Sequence, residues 1–228
     1  MELYKQIITK THPKIVAIGK NYAAHVKEMG GNQPPSEPVI FTKQFTSIVP
    51  PETKNVVLKN FQNDIHHEVE LGFMIKKQAK DVKNIKIEDY VAGYFLGIDL
   101  TDREKQAQMK KKGFPWDLAK GFDNALPISE FVPFEKVKDV NNLDLVFKVN
   151  GKITQNGNTS QMIHKVENLI EFVSKFMTLN PGDLFITGTP SGVGPVKHGD
   201  NMVGQLIQNG EVLAEINKNI QQQQKPNL

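Results

Sequence analysis

The 228-residue chain has no cysteine, which removes disulfides, thiolate zinc sites and a cysteine nucleophile together. A metal, if there is one, must be held by oxygen or by histidine nitrogen. Net charge is also scarce. The 28 Lys and Arg against 25 Asp and Glu leave +3, and the lysines are scattered, so no nucleic-acid partner is expected. No apolar run approaches the roughly 20 residues that span a bilayer, so no membrane partner is expected either. The opening MELYKQIITK has neither a hydrophobic signal core nor an Arg/Ser-rich transit composition. That favours the cytoplasm, with the mitochondrion open if a leader has been trimmed.

What is present points to a strand-rich globule. Hydrophobic residues make up 39% and charged residues 23%, and 17 Gly with 13 Pro favour many strands and turns over a helical bundle. The length suits one domain, expected over 1–220, with the Gln-rich residues 221–228 a disordered tail.

The chain is organised around His66-His67-Glu68-Val69-Glu70-Leu71-Gly72-Phe73. In a strand, Glu68 and Glu70 share one face while Val69, Leu71 and Phe73 share the other. Two carboxylates about 5 Å apart repel by roughly 3 kcal/mol at an effective dielectric of about 20, so a cation between them is favoured. A hard divalent ion with oxygen ligands fits, Mg²⁺ ahead of Ca²⁺. Two solvated glutamates on an exposed face satisfy the same pattern. Downstream, the apolar run 91–98 (VAGYFLGI) ends at Asp99, and a carboxylate at the end of a buried strand also wants a cation.

Other candidates are weaker alone. Asn21 to Gly31 reads as a short helix with an Asn cap in front and glycines behind, placing His25 and Glu28 side by side at i and i+3. This is either a surface pair or a base oriented by a carboxylate. The Gly/Pro-rich loop after it suits a lid. Thr101 would cap a helix that puts Arg103 and Gln106 on one face, an Arg fork for a carboxylate and an amide for a carbonyl, unless that face is simply solvated. Lys120 is either a snorkelling surface lysine or a positive charge set in a pocket. The turn 187–194 (TGTPSGVG) lacks the Gly-Lys-Ser/Thr of a phosphate loop, and it suits a small anion held by backbone N–H groups and Thr189.

Six motifs in order, IGKNYAAHVKEMG, HHEVELGF, GIDLTDREKQ, LAKGFD, VNGKITQNGNTSQMI and PGDLFITGTPSGVG, resemble the fumarylacetoacetate hydrolase family, most closely its small acylpyruvate hydrolases. The resemblance runs from about Lys14 to Ile216. It implies an α+β, β-rich fold of stacked, partly rolled sheets with a few helices, usually a homodimer. It also implies Mg²⁺ or Mn²⁺ on Glu68, Glu70 and Asp99, with His25 and Glu28 activating water. Lys120, Arg103 and Gln106 would line the pocket of a small 2-oxo acid whose carboxylate meets Thr189. One departure is Lys20, where these hydrolases commonly carry Arg. The implied activity is C–C hydrolysis of acylpyruvates such as acetylpyruvate and fumarylpyruvate. Decarboxylation or keto–enol isomerisation of oxaloacetate is the alternative, and a silent oxo-acid-binding protein a more distant one.

Overall fold

The computed structural model describes residues 13–59 and 64–223. Residues 1–12 of the expected domain and 224–228 of the expected tail lie outside the described residues. Strands β1 (Ile15–Gly19), β2 (Val39–Lys43), β3 (Ile48–Val49), β4 (Asn55–Lys59), β5 (Ile65–His67) and β6 (Val69–Ile75) occupy the first third, with helix α1 (Ala23–Glu28) after β1. Helix α2 (Ile87–Tyr90), β7 (Val91–Ile98), β8 (Thr101–Asp102), α3 (Arg103–Lys112) and α4 (Asp117–Lys120) follow, then β9 (Leu126–Pro127) and β10 (Val132–Pro133). The rest comprises β11 (Asp144–Val149), β12 (Lys152–Asn158), α5 (Val166–Ser174), β13 (Leu184–Ile186), β14 (Gly194–Val196), β15 (Asn201–Gln208) and β16 (Glu211–Gln223).

Two larger sheets carry the architecture. One has the order β10-β7-β6-β13-β1-β2 and the other β12-β11-β15-β16-β4. Every residue of β6 is buried, because β6 is central in its sheet and lies against β11 of the other. β7 likewise packs on β15 and β16. A continuous cluster including Leu71, Phe73, Leu96, Leu145, Phe147, Leu206 and Ile216 fills the layer between them. Within it Phe73 stacks on Phe185 at 4.6 Å. Each such side chain contributes about 1.5–3 kcal/mol by leaving water. The result is an α+β, strand-dominated fold of several sheets with short helices. Among the described residues no helix is long and apolar enough to cross a membrane.

Several local expectations are corrected. The strand expected through 66–73 is broken at Glu68, between β5 and β6. Asn21 does not cap α1. Its amide instead donates to Thr187 O at 2.8 Å and its oxygen accepts from His164 N–H at 2.7 Å. The cap of α3 is Asp102 rather than Thr101, accepting from Lys105 N–H at 2.8 Å, and Gly113 closes that helix with φ 68°. Residues 221–223 of the expected tail instead continue β16 alongside β4, Gln221 opposite Val57 and Gln223 opposite Lys59.

Candidate active site

The register of β6 and β7 assembles the acidic centre. Val69 faces Ile98 across the pair, and just beyond the ladder Asp99 N–H donates to Glu68 O at 2.8 Å. Glu68, Glu70 and Asp99 are all buried, and their carboxylate oxygens lie within 4.8 Å of one another. The turn after β13 closes over them. Gly188 N–H donates to Glu70 Oε2 at 2.6 Å. Gly188 has φ +93°, and a Cβ there would stand 2.8 Å from that of Asn21, so a larger residue is excluded twice over.

Cations surround the trio unevenly. Lys120 Nζ lies 2.7 Å from Glu68 Oε2 and 2.6 Å from Asp99 Oδ2. Arg103 Nη2 is 2.5 Å from Glu68 Oε1. Lys43 Nζ stands 2.7 Å from Asp99 Oδ1 as an ion pair and donates to the carbonyls of Leu100, Lys120 and Ala125. Burial pushes the Glu68 carboxyl up, but Lys120 and Arg103 outweigh it and hold Glu68 below the usual carboxylate range. Burial alone would lower Lys120, yet Asp99 and Glu68 raise it above its ordinary value. Burial pushes Lys43 down, with Asp99 working against that.

Glu70 is the exception. Burial, Asp99 and Glu68 together push it well above the ordinary carboxylate range, against smaller help from Lys120 and Gly188. Three buried carboxylates, the middle one short of a cationic partner and all oxygen donors, fit a hard divalent cation. Lys120 stands between two of them and would share that space with an ion. Tyr22 adds a second unmet group: its hydroxyl is buried without a hydrogen-bond partner, and burial and the charge of Glu70 raise it.

The expected site residues otherwise gather around one cavity of about 270 Å³, lined among others by His25, Glu68, Glu70, Arg103, Gln106, Lys120 and Thr189. His25 Nδ1 pairs with Glu28 Oε2 at 3.0 Å. Glu28 Oε1 also accepts from Gly192 N–H at 2.9 Å, which fastens α1 over the turn. Nε2 of His25 is therefore the nitrogen left for proton exchange. Gln106 Oε1 accepts from Arg103 at 2.7 Å, which leaves its amide nitrogen as the donor.

Thr189 is placed at the cavity, but its hydroxyl is committed. It donates to Val69 O at 2.9 Å and accepts from Gln155 Nε2 at 2.7 Å. Backbone groups of its turn are thus better suited than this hydroxyl to meet a carboxylate. His66 pairs with Asp64 at 2.8 Å and His67 with Gln155 at 2.9 Å, so neither imidazole joins the acidic centre.

Sequence reasoning missed Lys43, Tyr22, Gln155, Trp116 and Lys110. Lys43 had a signal in retrospect, a lone cation in the apolar strand 39–43 (VIFTK). Gln155 had none, since its partners come from distant parts of the chain.

Residues 14–218 match the family model described as fumarylacetoacetate (FAA) hydrolase C-terminal. The chain is 50% identical over 190 residues to the mitochondrial oxaloacetate decarboxylase of Dictyostelium discoideum, covering 83% of this chain and 87% of that protein. It is 48% identical over 188 residues to the mitochondrial oxaloacetate tautomerase FAHD1 of Bos taurus, covering 82% and 84%. Among solved structures, the fumarylpyruvate hydrolase of Pseudomonas aeruginosa in complex with Mn²⁺ and pyruvate superposes with a TM-score of 0.85 at 33% identity, covering 92% of this chain and 90% of that one. A match across nearly the whole chain, joined to an acidic trio built where the motifs place it, makes this chain a member of the fumarylacetoacetate hydrolase family.

Proposed function

We propose that this enzyme acts on oxaloacetate through its enolate, interconverting the keto and enol forms, with decarboxylation as a second outcome of the same charge distribution. The observation that carries the reading is the set of three carboxylates within 4.8 Å of one another beside Lys120, two of which, Glu68 and Glu70, line the cavity. When bound by Glu68, Glu70 and Asp99, Mg²⁺ or Mn²⁺ supplies positive charge to the oxygen that turns negative as the enolate forms. Lys120, kept charged by Glu68 and Asp99, donates to that same oxygen. The benefit is larger in the transition state than in the bound ketone.

His25 moves the proton. Glu28 accepts from Nδ1, which fixes the tautomer and leaves the Nε2 lone pair to take the C3 proton and return it to oxygen or carbon. Gln106 donates to a substrate carbonyl, and Arg103 positions that amide through its own bond to Gln106.

Hydrolysis of acylpyruvates, the first expectation from sequence, is the second reading. The His25–Glu28 pair and the fumarylpyruvate hydrolase neighbour favour it. It ranks lower because the relatives at 50% and 48% identity are named for oxaloacetate. Those relatives are mitochondrial, which supports the mitochondrial option for this chain. The test is a rate comparison, with Mg²⁺ and after chelation, of enol-oxaloacetate ketonisation, oxaloacetate decarboxylation and acetylpyruvate hydrolysis. Metal-dependent ketonisation exceeding the other two is expected. Acetylpyruvate hydrolysis as the dominant activity would overturn the assignment.

A further inference from the structure

Helix α3 presents three residues to the cavity, Arg103, Gln106 and Lys110, at i, i+3 and i+7, which is one face of the helix. The first two are engaged near the acidic centre. The third is not: Lys110 has no carboxylate partner among the described residues. Its ammonium instead lies 5.3 Å above the Trp116 ring. Trp116 in turn meets Phe41 at 5.8 Å, and Phe41 carries the Lys120 ammonium 5.0 Å above its own ring. An aromatic wall thus runs from Lys120 at the acidic centre to Lys110 at the mouth.

The charges do not cancel along that wall. Lys43, Lys120 and Arg103 are already engaged by Glu68 and Asp99. Lys110 and Lys20 remain on the cavity lining with no acid assigned to them. Burial depresses Lys110, and the neighbouring charges of Arg103 and Lys20 depress it further, with Glu68 acting in the opposite sense. An anion seated at the mouth would relieve that repulsion.

Building on the reading above, we propose that Lys110 binds the second carboxylate of the substrate and so selects 2-oxo diacids over 2-oxo acids with an uncharged tail. The 2-oxo acid end sits at the acidic centre, the carbon chain lies along Phe41 and Trp116, and the distal carboxylate meets the Lys110 ammonium. Lys110 is a specificity residue here; it holds the distal carboxylate and exchanges no proton with the substrate.

The sole tryptophan of the chain, Trp116, reports occupancy without turnover. Mg²⁺-loaded protein is titrated by fluorescence with oxalate, which occupies only the inner end, and with 2-oxoglutarate, a 2-oxo diacid whose distal carboxylate is not β to the ketone and is not lost as CO₂. In Lys110→Met the dissociation constant of the diacid should rise at least about tenfold, the usual cost of a lost charge-assisted hydrogen bond, while that of oxalate stays within about twofold. Lys110→Arg should recover most of the difference. Equal weakening of both ligands, or no change in either, would overturn the assignment. The outcome is separate from the activity assay: failure of the wild-type protein to turn over oxaloacetate sinks the function proposed above, whereas this comparison reads binding alone.

Discussion

Lys120 and Asp99 face each other at 2.6 Å with side chains only 2% and 0% exposed. A pair so deeply buried gains from its partner chiefly what it lost in leaving water, so removing one member leaves the other uncompensated. Glu68 depends on the same ammonium. Glu68 and Asp99 are therefore balanced by protein cations, and any divalent ion enters in competition with Lys120 for their oxygens.

Lys120→Met should accordingly destabilise the metal-free protein by about 3–5 kcal/mol, the usual cost of orphaning a buried charge. Added Mg²⁺ should then raise the unfolding temperature more in the variant than in the wild type, because the ion replaces the missing cation. Thermal melts with EDTA and with Mg²⁺ decide it. A smaller Mg²⁺-induced rise in the variant would mean that Lys120 helps hold the ion rather than competing with it.

Glu70→Gln tests the metal assignment from the other side. Glutamine keeps an acceptor for the Gly188 N–H and removes the carboxyl that burial and its acidic neighbours push upward. Metal-free stability should hold or rise, while Mg²⁺ affinity measured by calorimetry should fall by at least about tenfold, as expected when one charged oxygen ligand is lost. Unchanged affinity would remove Glu70 from the ligand set.

His25→Ala should lower kcat for oxaloacetate ketonisation by roughly 10²–10⁴, the range of general acid–base help. Oxalate binding should persist, since His25 makes no bond to the acidic centre. Glu28→Gln should also lower kcat, because the amide offers one acceptor oxygen where two donors, His25 Nδ1–H and the Gly192 N–H, meet the carboxylate, and an NH2 set against Nδ1 would move the imidazole proton to Nε2. Full activity in His25→Ala would transfer the proton step to another group.

The acidic centre was legible because buried carboxylates are conspicuous: Glu68 and Glu70 interrupt a strand that is otherwise apolar, and Asp99 ends a run of apolar residues. His25 and Glu28 were legible through helical spacing. What stayed hidden depends on contacts far apart in sequence. Asn21 looks like a helix cap, but Thr187 and His164 take its side chain, the first brought near by the pairing of β13 with β1 and the second by the bridge between Tyr22 and Met162. Residues 221–223 look like a polar tail, but β16 needs only backbone groups to pair with β4, and glutamine supplies those as well as valine does. Lys43 looks like an ordinary edge-strand charge until Asp99 is brought to it.

His67 yields the pH prediction, through a hydrogen-bond chain that fixes its tautomer. Gln155 donates from Nε2 to Thr189 Oγ1 at 2.7 Å and to Pro190 O at 2.9 Å. Its Oε1 must therefore be the acceptor, for Val69 N–H at 3.0 Å and for His67 Nδ1 at 2.9 Å. His67 is thus neutral with its proton on Nδ1. Burial pushes it down to about 4, the Gln155 bond opposes this, His66 adds to it, and Glu68 and Glu28 resist it. The folded value lies below the unfolded one of about 6.5, so the stabilisation is complete above that pH and is lost as the pH falls towards 4. Between pH 7 and pH 5 this one group should cost the fold roughly 2 kcal/mol. Carboxylates of the acidic centre titrate in acid too, so the measurement is a difference. Urea unfolding of wild type and His67→Gln at both pH values should show the smaller acid loss in the variant, which has no imidazole to protonate. Equal losses would mean that His67 accepts its proton without opening the Gln155 network.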